Sequence, residues 1–266
     1  MFDFIVDKDW LDRTGPFLFN FEHCLFIVFY IALAIFIALW LRKKSKEFSK
    51  KVMTILWIIL LISEIIKWSA SWYVWHIDGG IKNISQIFPL YTCSLITYLT
   101  PVALFSKNEK LQTAAKNFIC TMLMPLGFVS IFIALLMTTE CSILSFYGFH
   151  TVFFHAMMFI IASAMLGSGY YKPQKKDIYK SLTLFGSILV CVYIFNAILQ
   201  TDYMYIYDGH TFTVFSFIIN VLPHRICWTL IITAFYILIP ITMHFIILKI
   251  QSTLEKRKAQ KEVQTN

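Results

Sequence analysis

Residues Phe17–Trp40 read FLFNFEHCLFIVFYIALAIFIALW, and the next six residues, Leu41–Lys46, read LRKKSK. A run of about 20 apolar residues is long enough to cross the hydrocarbon core of a bilayer as a helix. A basic cluster directly behind such a run is the usual mark of its cytoplasmic flank. The pattern recurs down the chain. Further runs fall at Val52–Trp75, Gln86–Phe105, Phe118–Met137, Phe146–Leu166, Ser181–Leu199 and Ile226–Leu248. These predict an all-α, polytopic bundle of seven transmembrane helices, with a transmembrane domain over 1–250 and a basic cytoplasmic tail over 251–266. Past Leu254 the tail is expected to be solvated and partly disordered. Pro223 divides the long stretch Phe212–Leu248, so Phe212–Leu222 is expected to be a half-helix or an interfacial segment.

Composition agrees with this reading. The 266 residues are 58% hydrophobic and only 14% charged, against about 25% charged in soluble domains. The net charge of +8 would point to nucleic acid in a soluble protein. Here eighteen of the 23 Lys and Arg sit in the connections after runs 1, 3 and 5 and in the tail, against three on the other side. The charge is therefore a topology signal, with the N-terminus outside and the C-terminus cytoplasmic. No nucleic-acid partner is expected. The acidic start, with Asp3, Asp7, Asp9 and Asp12, does not read as a signal peptide. Six cysteines without CxxC or CxxH spacing argue against a disulfide framework or a metal site, and no cofactor is implied.

Ionisable residues inside membrane runs are costly and usually face the bundle interior. His23 and Glu22 lie early in run 1. Glu64 and Lys67 are three apart in run 2, placed to pair. Run 3 carries the box Phe88-Pro89-Leu90-Tyr91-Thr92-Cys93-Ser94, with Cys93 about eight residues in. His155 is about nine residues into run 5, at nearly the same depth. Asn196 is near the outer end of run 6, and His224 and Arg225 open run 7. These positions share the outer half, while the inner half reads as almost wholly apolar, which predicts a pocket open to the outer leaflet. Each residue also has an ordinary reading. A membrane thiol is commonly a small hydrophobe, as expected for Cys120 and Cys191. Glu64 and Lys67 suit a structural ion pair. Arg225 suits either snorkelling or a lipid phosphate.

A thiol and an imidazole at one depth suit nucleophilic acyl chemistry, in which the base helps form the thiolate and a covalent acyl intermediate divides the reaction. That makes Cys93 and His155 the candidate catalytic residues. Tyr91, Thr92, Asn196, His224, Arg225, His23 and Glu64 are the candidate substrate-binding residues, and a membrane lipid is the candidate substrate. A small-solute transporter or channel using the same polar pocket is the alternative. A retinal-type sensor is disfavoured because Ile226–Leu248 has no Lys. The oligomeric state stays open.

The chain resembles the YwaF-like bacterial integral membrane family, related to transmembrane protein 164. The resemblance spans about Phe17–Leu248. It rests on His23, Glu64, the Pro-box Phe88–Cys93, His155, Asn196 ahead of Thr201-Asp202-Tyr203-Met204-Tyr205, and Leu222–Trp228. Tyr91 replaces the box His, and Asp202 replaces an Asn. The resemblance implies a seven-helix membrane protein. The eukaryotic relative is a cysteine-dependent acyltransferase that remodels phospholipid chains, and more distant relatives cleave fatty-acid esters with a Thr and a His. That family cysteine aligns with Leu90. Cys93 lies three residues on, on the same helical face.

Overall fold

The computed structural model describes residues 19–78, 89–133, 146–206, 220 and 225–265. The described regular structure is helical, in the order α1 (Phe21–Leu41), α2 (Lys46–Asp78), α3 (Leu95–Phe105), α4 (Glu109–Ile133), α5 (Phe146–Gly167), α6 (Asp177–Leu199) and α7 (Arg225–Thr265). Six of these are long and apolar enough to cross a membrane.

The exception is α3. The expected run Gln86–Phe105 yields a helix of only 11 residues, about 16 Å at 1.5 Å per residue. Just ahead of it, residues 91–94 wind tightly. The amides of Ser94, Leu95, Ile96 and Thr97 donate to the carbonyls of Tyr91, Thr92, Cys93 and Ser94, each three residues back. Proline at 89 has no amide to give and disfavours helix in the residue before it. Cys93 therefore sits in this turn rather than eight residues into a helix. The second half-helix expected at Phe212–Leu222 lies outside the described residues apart from Asn220.

One end of the bundle is basic. It carries Arg42, Lys43 and Lys44 after α1, Lys107 after α3, and Lys172, Lys175 and Lys176 after α5. The tail from 251 onward does not leave the helix. It continues α7 without a break to Thr265, because Gln251–Thr265 is rich in Lys, Glu, Gln, Ala and Arg, all good helix formers.

The core is organised on α5. Its apolar window is 67% buried, against 17% for α2 and α6, and α1, α2 and α4 all pack on it. Two glycines allow the closest approaches. A Cβ on Gly167 would lie 2.6 Å from the Ala38 Cβ, and one on Gly127 would lie 2.7 Å from the His155 carbonyl oxygen. The second contact presses α4 onto α5 at the level of His155. At its basic end α5 closes with Gly169 at φ +68, and the Tyr171 amide reaches back six positions to the Met165 carbonyl, a left-handed helix cap.

Midway along α4, residues Ile119–Leu123 form a π turn. Such turns interrupt the regular hydrogen-bond ladder and occur often at functional sites. Here the turn follows Asn117, whose buried side chain joins four elements. Its Nδ2 donates to the Tyr171 hydroxyl (3.1 Å) and to His244 Nδ1 on α7 (2.9 Å). Tyr171 donates to Asp177 Oδ2 (2.9 Å), and Lys180 holds Asp177 Oδ1 (2.9 Å). Burial and the adjacent Asp177 hold the Tyr171 phenol protonated, well above the ordinary tyrosine range, against a smaller opposing effect of Asn117. His244 Nε2 makes no hydrogen bond among the described residues. This network corrects the expectation that the inner half is almost wholly apolar.

Candidate functional site

Cys93 precedes the end of α3 by 12 residues and His155 precedes the end of α5 by 12, and both helices end at the basic side of the bundle. Cys93 is half-buried. The charged side chains whose fields reach it are Lys67 and Glu64. Lys67 also acts on His150 and His155, so its ammonium is the charge common to all three.

His155 has a defined tautomer. Its Nδ1 lies 2.7 Å from the Thr151 carbonyl. A carbonyl only accepts, so Nδ1 carries the proton and Nε2 keeps the lone pair a general base requires. No hydrogen bond joins His155 to Cys93 among the described residues.

Glu64 is 1% exposed and pairs with Lys67, at 2.7 Å from Oε2 and 2.9 Å from Oε1, as their spacing predicts. Its Oε1 also lies 3.8 Å from His150 Nε2. His150, which the sequence reading passed over, is a buried member of the site, stacked on Phe154 at 5.7 Å. Its available signal was its position in the same apolar run as His155. Five of the seven buried polar side-chain atoms without a hydrogen bond belong to this region among the described residues: Glu64 Oε2, Trp68 Nε1, Thr92 Oγ1, Thr97 Oγ1 and His150 Nε2. Glu64 Oε2 is met by Lys67. Native interiors pair most such atoms with protein or water.

A connector covers the box. Tyr91 packs on Tyr203 and Tyr205, each with ring centroids 5.5 Å away. Residues 201–206 fold back into the bundle, with Tyr203 and Met204 fully buried. Met204 (φ 58) and Tyr205 (φ 54) are both left-handed, a conformation that costs energy in residues other than glycine and must be held by its surroundings. Trp228 Nε1 donates to the Tyr205 carbonyl (2.7 Å), Thr229 Oγ1 to Ile206 (2.9 Å) and the Tyr236 hydroxyl to Met204 (2.9 Å). Backbone at membrane depth is tolerated where protein satisfies it in this way. Tyr205 and Tyr236 are also within electrostatic reach of Cys93.

Two expected ligand residues are taken up by this framework. Asn196 Oδ1 accepts from the Tyr203 amide (2.8 Å) and the Thr201 hydroxyl (3.0 Å), and its Nδ2 donates to the Tyr203 carbonyl (2.9 Å). One N–H remains, so Asn196 shapes the connector instead of presenting an open amide. His23 accepts at Nδ1 from the Phe19 amide (3.1 Å) and donates from Nε2 to the Ile131 carbonyl (2.9 Å). Both nitrogens are engaged, tying the start of α1 to α4. His224 and the Arg225 side chain lie outside the described residues. Cys120 is buried, with Sγ 4.0 Å from the Ala162 carbonyl, and Cys191 is exposed on α6.

An apolar groove of 570 Å³ runs between α4 and α7, lined among others by Met122, Pro125, Val129, Phe235, Leu238 and Met243. Tyr236, which supports the connector, directly follows Phe235 of this groove. Among the described residues no group of three or more His, Cys, Asp or Glu is placed to hold a metal ion.

No curated protein and no solved structure matches the chain. The sequence pattern of the TMEM164 family matches residues 18–248, and the chain therefore belongs to the TMEM164 family of membrane proteins.

Proposed function

We propose that the protein is a membrane-embedded lipid-modifying enzyme that performs thiol-dependent acyl transfer or ester hydrolysis, with Cys93 as nucleophile and His155 as base. The observation that carries this reading is a half-buried thiol and an imidazole with its lone pair on Nε2, each 12 residues before the basic end of its helix and both in the field of Lys67. Sγ attacks the ester carbonyl carbon, and His155 Nε2 takes the thiol proton. The C–O bond then breaks, the alcohol leaves with that proton, and a thioester remains on Cys93. The Lys67 ammonium, with the hydroxyls of Tyr91 and Thr92, supplies positive potential near the developing oxyanion. The apolar groove along α4 and α7 suits an acyl chain.

The basic end faces the cytoplasm in this reading, so the lipid enters from the outer leaflet of the cell membrane. Glu64 and Lys67 serve the site as a charged pair, and His224 and Arg225 remain candidate headgroup contacts. Turnover of a phospholipid bearing a labelled acyl chain tests the proposal: Cys93→Ala and His155→Ala each abolish it while leaving a folded protein. Full activity in both variants would sink it.

The alternative, a small-solute transporter or channel, uses the same polar pocket, with Glu64 and Lys67 in its lining. Uptake into proteoliposomes that is lost in Glu64→Gln would favour it.

A further inference from the structure

Helix α2 presents Glu64, Lys67, Trp68 and Ser71 at the i, i+3, i+4, i+7 spacing that puts residues on one helical face. Helix α5 answers with Tyr147, His150 and Phe154 at i, i+3, i+7. The two rows face each other at three points. Ser71 Oγ lies 3.2 Å from the Tyr147 hydroxyl, Glu64 Oε1 3.8 Å from His150 Nε2, and Lys67 Nζ 5.9 Å from the centre of the Phe154 ring. The result is a polar seam. It begins near the start of α5, at the end away from the basic loops, and runs inward to the charges that act on Cys93.

Buried polar atoms without a hydrogen bond mark the seam as hydrated. The 3.8 Å between Glu64 Oε1 and His150 Nε2 is too long for a hydrogen bond, so this pair does not satisfy the imidazole nitrogen. His150 Nε2 and Trp68 Nε1 are buried and make no hydrogen bond, and in native interiors such atoms are normally met by water.

We propose that the α2–α5 seam is a water-filled path that connects the aqueous phase at the end opposite the basic loops with Cys93. Its use, bringing water-borne reactants to the thiol, rests on the enzymatic reading above. The existence of the path does not, because it is read without turnover.

The experiment uses the full chain in sealed vesicles, with Cys24, Cys120, Cys141, Cys191 and Cys227 replaced by Ala so that Cys93 is the one thiol. The probe is the membrane-impermeant reagent 2-(trimethylammonium)ethyl methanethiosulfonate, added from the side opposite the basic loops. The expected result is that it labels Cys93, and that Ser71→Phe, which plugs the seam, slows labelling at least about tenfold. Ile62→Phe, on the exposed face of the same helix, leaves the rate unchanged. Labelling that is absent, or equally fast in Ser71→Phe, overturns the path. Should Ser71→Phe fail to fold, Ser71→Cys in a background free of native cysteines decides the matter. Reaction of that cysteine with the reagent supports the path, and inertness overturns it. Loss of the enzymatic reading through full turnover in Cys93→Ala leaves these outcomes unaffected.

Discussion

The bundle holds two buried polar clusters of opposite character. At the basic end, Asn117, Tyr171, Asp177 and Lys180 hand hydrogen bonds along a chain to His244, and among the described residues there His244 Nε2 and the neighbouring Ser181 Oγ lack one. Nearer the other end, the region of Glu64, Trp68, Thr92, Thr97 and His150 keeps several polar atoms without hydrogen bonds among the described residues, and the His155 proton sits on Nδ1, leaving the lone pair on Nε2. A network whose members are satisfied stiffens a fold, while unsatisfied buried groups cost stability and persist where they serve something else. The basic-end cluster therefore reads as a lock between α4, α6, α7 and the loop after α5. The other is the chamber in which the proposed acyl chemistry would take place.

Substitutions separate the two. The largest effect is expected at the chamber. Cys93→Ala and His155→Ala each lower lipid turnover by at least about 100-fold, with a thermal unfolding midpoint in detergent close to that of the unaltered protein. Next comes the lock. Asn117→Ala strips a donor from both Tyr171 and His244 and costs about 2–4 kcal/mol, read as a lowered unfolding midpoint. If Asn117→Ala unfolds no earlier than the parent, the lock is not a stabilising device. Gly127→Ala bridges the comparison, because its Cβ would meet the His155 carbonyl. It costs about 1–3 kcal/mol and also lowers turnover by displacing His155. A stability loss with turnover intact would show that the α4–α5 contact does not position that residue. Smallest is Cys191→Ser, on the exposed face of α6, expected to change stability by less than about 0.5 kcal/mol and turnover not at all.

The sequence made the chamber easier to see than the lock. Hydropathy marks membrane helices strongly, and an isolated His or Glu inside such a run stands out, as His155 and Glu64 do. Lys67 was legible for the same reason, since an ion pair three residues apart is a local feature. The lock was hidden because its members are distant in sequence, at 117, 171, 177 and 244, and two of them, Tyr171 and Asp177, lie in or beside a loop where polar residues look ordinary. His244 is an ionisable residue inside an apolar run, as His155 is, and is as visible in the sequence. The short α3 was illegible because hydropathy reads an apolar tight turn and an apolar helix alike. The connector over the box was hidden too, because left-handed Met204 and Tyr205 have no compositional mark. Asn196 and His23 were correctly located as buried polar residues. Their partners are backbone groups, which no side-chain pattern reveals.

The central claim, that Cys93 is a nucleophile served by His155, is tested most directly by trapping the intermediate. The protein in nanodiscs is given a phospholipid carrying an alkyne-tagged acyl chain, quenched in acid, digested and examined by peptide mass spectrometry. The account predicts a tagged acyl group on Cys93 that hydroxylamine removes, and that is lost in His155→Ala. An acyl group on any other residue, or none on Cys93 under turnover, would contradict it.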